Sequence, residues 1–103
     1  LELSERPDAV YAAGDFAALG ALQVLLENGV KVPQEIALVG FSNESFTSYV
    51  SPPISTINQH SEQIGKKAAE LFLERIKNPS QEEGVSKVII DAQLIVRGSS
   101  DKI

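Results

Sequence analysis

Polar residues stand directly after two apolar segments, at positions where a small ligand could bind. One group follows the apolar run 9–13 and the other follows the apolar run 36–41. If both runs are parallel strands, their carboxyl ends lie at the same edge of a sheet, where open α/β folds bind small molecules. Hydroxyl, amide and carboxylate groups there can hydrogen-bond a polar ligand. In chain order the residues concerned are Gly14, Asp15, Ser42, Asn43 and Glu44.

Each side chain in this set also has an explanation as a former of local structure. The carboxylate of Asp15 can accept hydrogen bonds from free N–H groups in the first turn of a following helix, so Asp15 is a candidate N-cap. Ser42, Asn43 and Glu44 are residue types that commonly form turns. The two roles are not exclusive, and these residues remain candidates for both.

Motifs for covalent catalysis were tested and are not supported. His60 is near Ser55 and Ser61 in sequence, but closeness in sequence does not make a catalytic triad, and a loop or capping role is favoured. Gly65-Lys66-Lys67 resembles the end of a phosphate-binding loop, yet His60 occupies the place of its first glycine. Neither a dinucleotide-binding glycine pattern nor a nucleophile elbow occurs. None of these motifs therefore indicates covalent catalysis in this sequence.

The composition indicates one soluble domain and excludes several kinds of binding site and partner. The 103 residues are 43% hydrophobic and 22% charged, with no Cys and one His, which excludes disulfides, thiolate metal sites and zinc sites with paired imidazoles. Nine basic against fourteen acidic residues give a net charge of −5, so this segment is not expected to bind nucleic acid.

No apolar run approaches the ~20 residues that span a bilayer. Because the chain opens at Leu1 without Met, we expect it to be part of a longer protein, and no signal peptide is visible.

The elements that would position the candidate residues alternate between strands and helices. Runs 9–13 and 36–41 predict buried strands, the second central and parallel because it is apolar without alternation. Residues 16–28 predict a helix capped by Gly29, and its apolar side chains cover an arc of about 220°, more than one sheet can bury. The other predicted elements are a helical turn at 46–50, a strand at 54–57, a helix at 62–77, strands at 88–90 and 93–96, and a tail from 97. This order predicts an α/β fold with a mostly parallel sheet flanked by helices.

Three tracts carry a likeness to a known family. Residues 7–22 (PDAVYAAGDFAALGAL), 32–41 (VPQEIALVGF) and 51–59 (SPPISTINQ) resemble, in this order, the signatures of LacI/GalR-type transcriptional regulators, and 94–100 (LIVRGSS) completes the pattern. The resemblance implies the C-terminal portion of a periplasmic-binding-protein-like fold, in which two lobes enclose an effector cleft. It also implies that a helix-turn-helix domain and most of the first lobe lie outside this chain.

The resemblance further assigns the cleft residues. Gly14 stands where many relatives have an asparagine that binds the effector, Asp15 keeps the acidic residue that follows, and Ser42 replaces the aspartate of many relatives. The predicted ligand-binding set is Gly14, Asp15, Ser42, Asn43, Gln59 and His60. It implies a small effector, a sugar or sugar derivative, with two frequent sugar-binding side chains replaced.

The family also implies a homodimer, DNA binding only through the separate N-terminal domain, no membrane association and a cytoplasmic location. The predicted interface comprises Leu19, Leu22, Phe46, Tyr49 and Val50, which agrees with the broad apolar arc of helix 16–28. Helix 62–77 is expected to pack on the first lobe. The mechanism implied is a population shift, in which the effector favours one arrangement of the lobes. No covalent bond is broken in this mechanism, so the resemblance implies a protein that is not an enzyme and uses no cofactor.

Two other functions are compatible with the same fold class. An extracytoplasmic sugar-binding protein of a transporter has the same fold, but tracts 32–41 and 51–59 favour a regulator. A flavodoxin-like enzyme has the same fold class and no motif in its favour.

Overall fold

A computed structural model describes residues 5–77 and 87–102, in which strands and helices alternate along the chain. The strands are β1 (Ala9–Tyr11), β2 (Ala37–Val39), β3 (Thr56–Asn58) and β4 (Gln93–Ile95). The α-helices are α1 (Asp15–Glu27) and α2 (Ser61–Lys77), and a short 3₁₀ helix covers Ser45–Ser48. Neither α-helix of the described part combines the length and apolar character needed to cross a membrane.

The sheet has a parallel part and an antiparallel edge. β1 pairs with β2 in parallel, with Tyr11 opposite Val39. A parallel bridge between Val39 and Ser55 then joins β2 to the chain that leads into β3. β3 pairs with β4 in antiparallel orientation, with Thr56 opposite Ile95. The predicted α/β class with a parallel sheet is therefore confirmed.

The core lies between α1 and the face of the sheet that it covers. Ala18, Leu22 and Leu25 share one side of α1 because they are separated by three or four residues, and all three are buried. They pack with apolar residues from β2 and from the loops around it. The other buried members of this cluster are Val30, Val32, Ile36, Leu38 and Ile54.

The C-terminus of α1 follows the predicted pattern. Gly29 has φ +70°, in the left-handed region that glycine adopts without steric cost. Its N–H donates to Leu26 O at 3.1 Å, and Val30 N–H donates to Leu25 O at 2.9 Å. These two bonds form a Schellman motif, in which buried Val30 and Leu25 supply the apolar contact. The predicted capping role of Gly29 is confirmed.

The prediction that Asp15 caps α1 is wrong. The helix begins at Asp15 itself, Gly14 is the N-cap residue, and no side chain makes a cap hydrogen bond there. The physical reason is competition: the carboxylate of Asp15 has stronger partners in other elements, which are described below.

Two predicted strands differ from the structure. β1 was expected to be buried, but Tyr11 is 60% exposed, because in the described chain α1 covers only the opposite face, where Val10 packs on the core. Residues 88–90 were predicted to be a strand, yet they form none. Val88, Ile89 and Ile90 instead line an open groove with Ile64 and other residues of α2, and Val88 and Ile89 remain exposed.

The segment after β4 packs against the sheet and forms a turn at 98–100, so it is not a free tail. Ser99 is buried, and its hydroxyl donates to Leu38 O at 2.6 Å while it accepts from Ser55 N–H at 2.8 Å. Leu38 N–H donates to Ser99 O at 2.9 Å. The segment therefore fills the space between β2 and the entry to β3, and its serine supplies partners for backbone groups that would otherwise be unsatisfied.

Candidate functional site

The loop after β2 has an unusual backbone. Ser42 has φ +118° and Asn43 has φ +58°, so two successive residues with side chains lie at positive φ. Such conformations cost on the order of 1–3 kcal/mol each and persist only where the surroundings fix them. We name Ser42, Asn43 and Glu44 the β2 loop.

Each backbone N–H group of the β2 loop is anchored to a different partner. Ser42 N–H donates to Ile57 O at 3.0 Å, and Asn43 N–H donates to Thr56 Oγ1 at 3.1 Å. Glu44 N–H donates to a carboxylate oxygen of Asp15 at 2.6 Å. The three bonds connect the loop with β3 and α1, and together they account for its positive φ values.

Asp15 is the buried centre of this arrangement. Its side chain is only 2% exposed; Oδ2 accepts from Glu44 N–H and Oδ1 accepts from Thr56 Oγ1–H at 2.7 Å. Its position in the first turn of α1 also stabilises the negative charge, since the N-terminus of a helix carries partial positive charge. A Cβ at residue 40 would overlap Oδ1, so Gly40 leaves the space that the carboxylate occupies.

Asp15 therefore positions the β2 loop through both of its oxygens. Sequence reasoning identified Asp15 as a candidate residue but missed its partner Thr56. Thr56 is 41 residues away along the chain, and no local pattern connects the two.

Arg97 holds the other side of the β2 loop. Its Nη1 donates to Thr47 Oγ1 at 2.7 Å and to Ile54 O at 2.9 Å, while Nη2 donates to Asn43 Oδ1 at 3.4 Å. Its backbone N–H donates to Ser55 Oγ at 2.7 Å. The sequence placed this arginine in a tail, so its contribution to the site was also missed.

Three side-chain groups of the β2 loop have no partner within residues 5–77 and 87–102, and one of them is the exposed carboxylate of Glu44. The hydroxyl of Ser42 makes no hydrogen bond there, and the amide of Asn43 uses only its oxygen. Both residues are half-buried rather than enclosed. The loop thus has a fixed backbone and offers one hydroxyl and one amide nitrogen for interactions with another molecule.

The remaining predicted ligand-binding residues flank this loop. Gly14 precedes α1 beside Asp15, and Gln59 and His60 connect β3 with α2. His60 has φ +56°; its N–H donates to Asn58 Oδ1 at 3.0 Å and its carbonyl accepts from Ile64 N–H. Within the described residues, neither Gln59 nor His60 hydrogen-bonds the β2 loop. The structure thus brings Asp15, Ser42 and Asn43 together, while Gln59 and His60 follow directly after β3 without a hydrogen bond to these residues in the described part of the chain.

Among the described residues, no three His, Asp or Glu side chains are grouped closely enough to hold a metal ion. Within the same residues, Asp15 accepts hydrogen bonds from neutral donors, and the side chain of Arg97 donates to neutral acceptors. The arrangement is suited to hydrogen bonding rather than to proton transfer or nucleophilic attack.

Comparison with known proteins identifies the fold family. Residues 1–100 match the family described as the periplasmic binding protein-like domain. The chain belongs to this family.

Relatives of this periplasmic binding protein-like domain are transcriptional regulators. The chain is 38% identical over 101 residues to the HTH-type transcriptional repressor PurR of Vibrio campbellii, covering 98% of the chain and 30% of that protein. A transcriptional regulator LacI from Bacillus cereus subsp. cytotoxis is 30% identical, with a TM-score of 0.90 over 96% of the chain and 34% of the solved structure. The resemblance to LacI/GalR-type effector-binding domains is confirmed.

Several solved relatives contain a bound sugar. A LacI family transcriptional regulator from Enterococcus faecalis V583, with bound ribose, is 33% identical, with a TM-score of 0.85 over 97% of the chain and 37% of that structure. In each of these three comparisons the periplasmic binding protein-like domain spans less than two fifths of the relative's length.

In this periplasmic binding protein-like domain, the five predicted interface residues differ in exposure. Leu22 is only 3% exposed and belongs to the core, and Phe46 and Val50 are partly buried against the same core. Leu19 is half-buried, whereas Tyr49 is 86% exposed. Leu22 therefore presents almost no surface to a partner.

An aromatic pair that sequence reasoning missed lies beside the predicted interface. Phe16 is 70% exposed and contacts Phe46, with ring centroids 5.0 Å apart and an interplanar angle of 50°. This is the tilted geometry that aromatic pairs favour. The pair joins the start of α1 to the 3₁₀ helix and leaves one aromatic face in solvent.

Proposed function

We propose that this chain is part of the effector-binding domain of a LacI-type transcriptional regulator and that it binds a small sugar-like molecule at the β2 loop. The observation that carries the proposal is the β2 loop itself. Its backbone is fixed at positive φ by three hydrogen bonds to β3 and α1, while the Ser42 hydroxyl and the Asn43 amide nitrogen have no partner within the described residues.

The chemistry of the loop supports a polyhydroxylated ligand. Sugar hydroxyls both donate and accept hydrogen bonds, so they can pair with a hydroxyl and an amide N–H at once. Prepositioned donors bind more tightly than mobile ones, because less side-chain and loop entropy is lost on association. The bound ribose of the Enterococcus faecalis regulator supports the same class of ligand.

The remainder of the ligand site would come from outside this chain. No residue of α2 is buried, and apolar side chains on its surface include Ile64, Phe72 and Ile76. We propose that this face packs on a first lobe in the complete protein and that the ligand binds between the two lobes. A ligand that contacts both lobes favours one of their arrangements, which is a population shift and requires no covalent chemistry.

The complete regulator would act as a dimer in the cytoplasm and bind DNA through a separate domain. The surface proposed for the dimer combines Leu19 and Tyr49 with the neighbouring Phe16–Phe46 pair. Exposed aromatic side chains of this kind are enriched at interfaces between proteins. Leu22 is left out because it lies in the core.

Calorimetric titration of the complete protein tests the proposed ligand class and site. A panel of neutral mono- and disaccharides, beginning with D-ribose, should contain a saturable ligand. Ser42→Ala and Asn43→Ala should each weaken its binding by about tenfold, as expected for loss of one hydrogen bond of about 1.4 kcal/mol. Ser48→Ala is the matched control, because that exposed hydroxyl bonds only to Ser45 O in the 3₁₀ helix.

Two results would contradict the proposal. One is the absence of binding across the panel. The other is a sugar that binds the wild-type protein and both loop variants with equal affinity.

A further inference from the structure

The guanidinium group of Arg97 is held by contacts that do not involve Asn43. Nη1 donates to Thr47 Oγ1 at 2.7 Å and to Ile54 O at 2.9 Å, and the backbone N–H of Arg97 donates to Ser55 Oγ at 2.7 Å. Because a guanidinium group is planar and rigid, fixing Nη1 also fixes the place of Nη2. Nη2 then lies 3.4 Å from Asn43 Oδ1.

The charge of Arg97 determines which end of the Asn43 amide faces it. A cation attracts the carbonyl oxygen of an amide and repels its N–H group. Oδ1 is therefore held toward Arg97, and Nδ2, which has no partner in the described residues, is directed away from the guanidinium group. The backbone of Asn43 cannot easily change this orientation, because its N–H is bonded to Thr56 Oγ1.

We propose that Arg97 is a positioning residue that makes Asn43 present hydrogen-bond donors, and not an acceptor, to the ligand. At this point the site would select an oxygen acceptor of the ligand, such as a hydroxyl or ring oxygen. This consequence for the ligand rests on the function proposed above. The interaction between Arg97 and Asn43 does not, and it can be tested without a ligand.

A double-mutant cycle in the complete protein measures this interaction. In Asn43→Asp a carboxylate replaces the amide, and it gains more from Arg97 than a neutral oxygen does. The effect of Asn43→Asp on the unfolding equilibrium constant should therefore be about tenfold more favourable with Arg97 present than in the Arg97→Met background. Asn28→Asp, at the exposed end of α1, serves as the control cycle and should give additive effects.

A spectroscopic measurement separates positioning from general stabilisation. The side-chain amide resonances of Asn43 should shift in Arg97→Met and remain in place in Ser99→Ala, which disturbs the same segment without touching Asn43. If Arg97→Met does not fold, Arg97→Gln gives the same decision, because Gln also removes the positive charge and keeps a polar side chain in that place. Additive effects in the Asn43–Arg97 cycle, or unchanged Asn43 resonances in both Arg97 variants, would overturn the proposal.

Discussion

The carboxylate of Asp15 accepts hydrogen bonds from Glu44 N–H and from the hydroxyl of Thr56, at 2.6 and 2.7 Å. One buried side chain thus connects the first turn of α1 with the β2 loop and with β3. The Thr56 hydroxyl also accepts a hydrogen bond from Asn43 N–H, so it links Asp15 to Asn43. The backbone of the candidate ligand site therefore depends on a residue that uses both of its oxygens within the protein.

We expect Asp15→Asn to destabilise the protein although the side chain keeps its size. An amide has one acceptor oxygen, so either Glu44 N–H or the Thr56 hydroxyl loses its acceptor. A buried donor left unsatisfied costs about 1–3 kcal/mol. Urea unfolding measures the change, and Asp8→Asn at an exposed position is the control, with an expected effect within about 0.5 kcal/mol. Equal stabilities of the two variants would show that the Asp15 contacts are unimportant.

Two glycine-to-alanine substitutions should change the stability of the protein in opposite directions. Gly40→Ala would place its Cβ against Asp15 Oδ1 and 3.2 Å from Ala18 Cβ, both of which are buried, so we expect a loss of stability of about 1–3 kcal/mol. Gly20→Ala has no atom within 4 Å of the new Cβ. It should stabilise the helix by about 1 kcal/mol. Thermal unfolding of both variants checks this contrast, which fails if Gly40→Ala is as stable as wild type.

Ser99→Ala tests the segment that fills the sheet between β2 and β3. The substitution removes the acceptor of Ser55 N–H and the donor to Leu38 O. Both backbone groups lie in the interior, so a loss of about 1–3 kcal/mol in the free energy of unfolding is expected. Ser48→Ala, which removes an exposed hydroxyl, should leave that free energy nearly unchanged. A neutral result for Ser99→Ala would mean that water replaces the hydroxyl.

Leu19→Glu should weaken self-association of the complete protein, if the proposed dimer surface is correct. A charge at this half-buried position would have to be desolvated in the interface. Val24→Glu is the control on the same helix, since it lies about 140° around the axis from Leu19. Sedimentation analysis at micromolar concentrations should show dissociation only for Leu19→Glu. Equal behaviour of both variants would remove Leu19 from the interface.

The sequence predicts the elements that depend on local pattern. The capping glycine, the central apolar strand and the amphipathic helix α2 each leave a signal within a few residues, and the structure contains all three. Three tracts in the correct order were enough to identify the family. The positions of Ser42 and Asn43 at the end of β2 also follow from the order of strands and helices.

The details of the site depend on contacts between distant residues, which leave no such signal. Asp15 has the residue type expected of an N-cap. Its carboxylate instead accepts hydrogen bonds from the Thr56 hydroxyl and from Glu44 N–H in the β2 loop. In the sequence alone, Arg97 and Ser99 resemble a polar tail, because their partners are 42 to 61 residues away. The prediction that β1 is buried was wrong for the same reason, because burial depends on what covers the strand and not only on its composition.

The central claim is that the Asn43 side chain binds the ligand with its backbone already fixed. Its most direct test is a nitrogen-15 NMR titration of the complete protein with the sugar that binds in calorimetry. The side-chain amide signals of Asn43 should move in proportion to saturation, while the backbone amide of Glu44, bonded to Asp15, should move much less. Saturation of the protein without any change in the Asn43 side-chain signals would contradict the account.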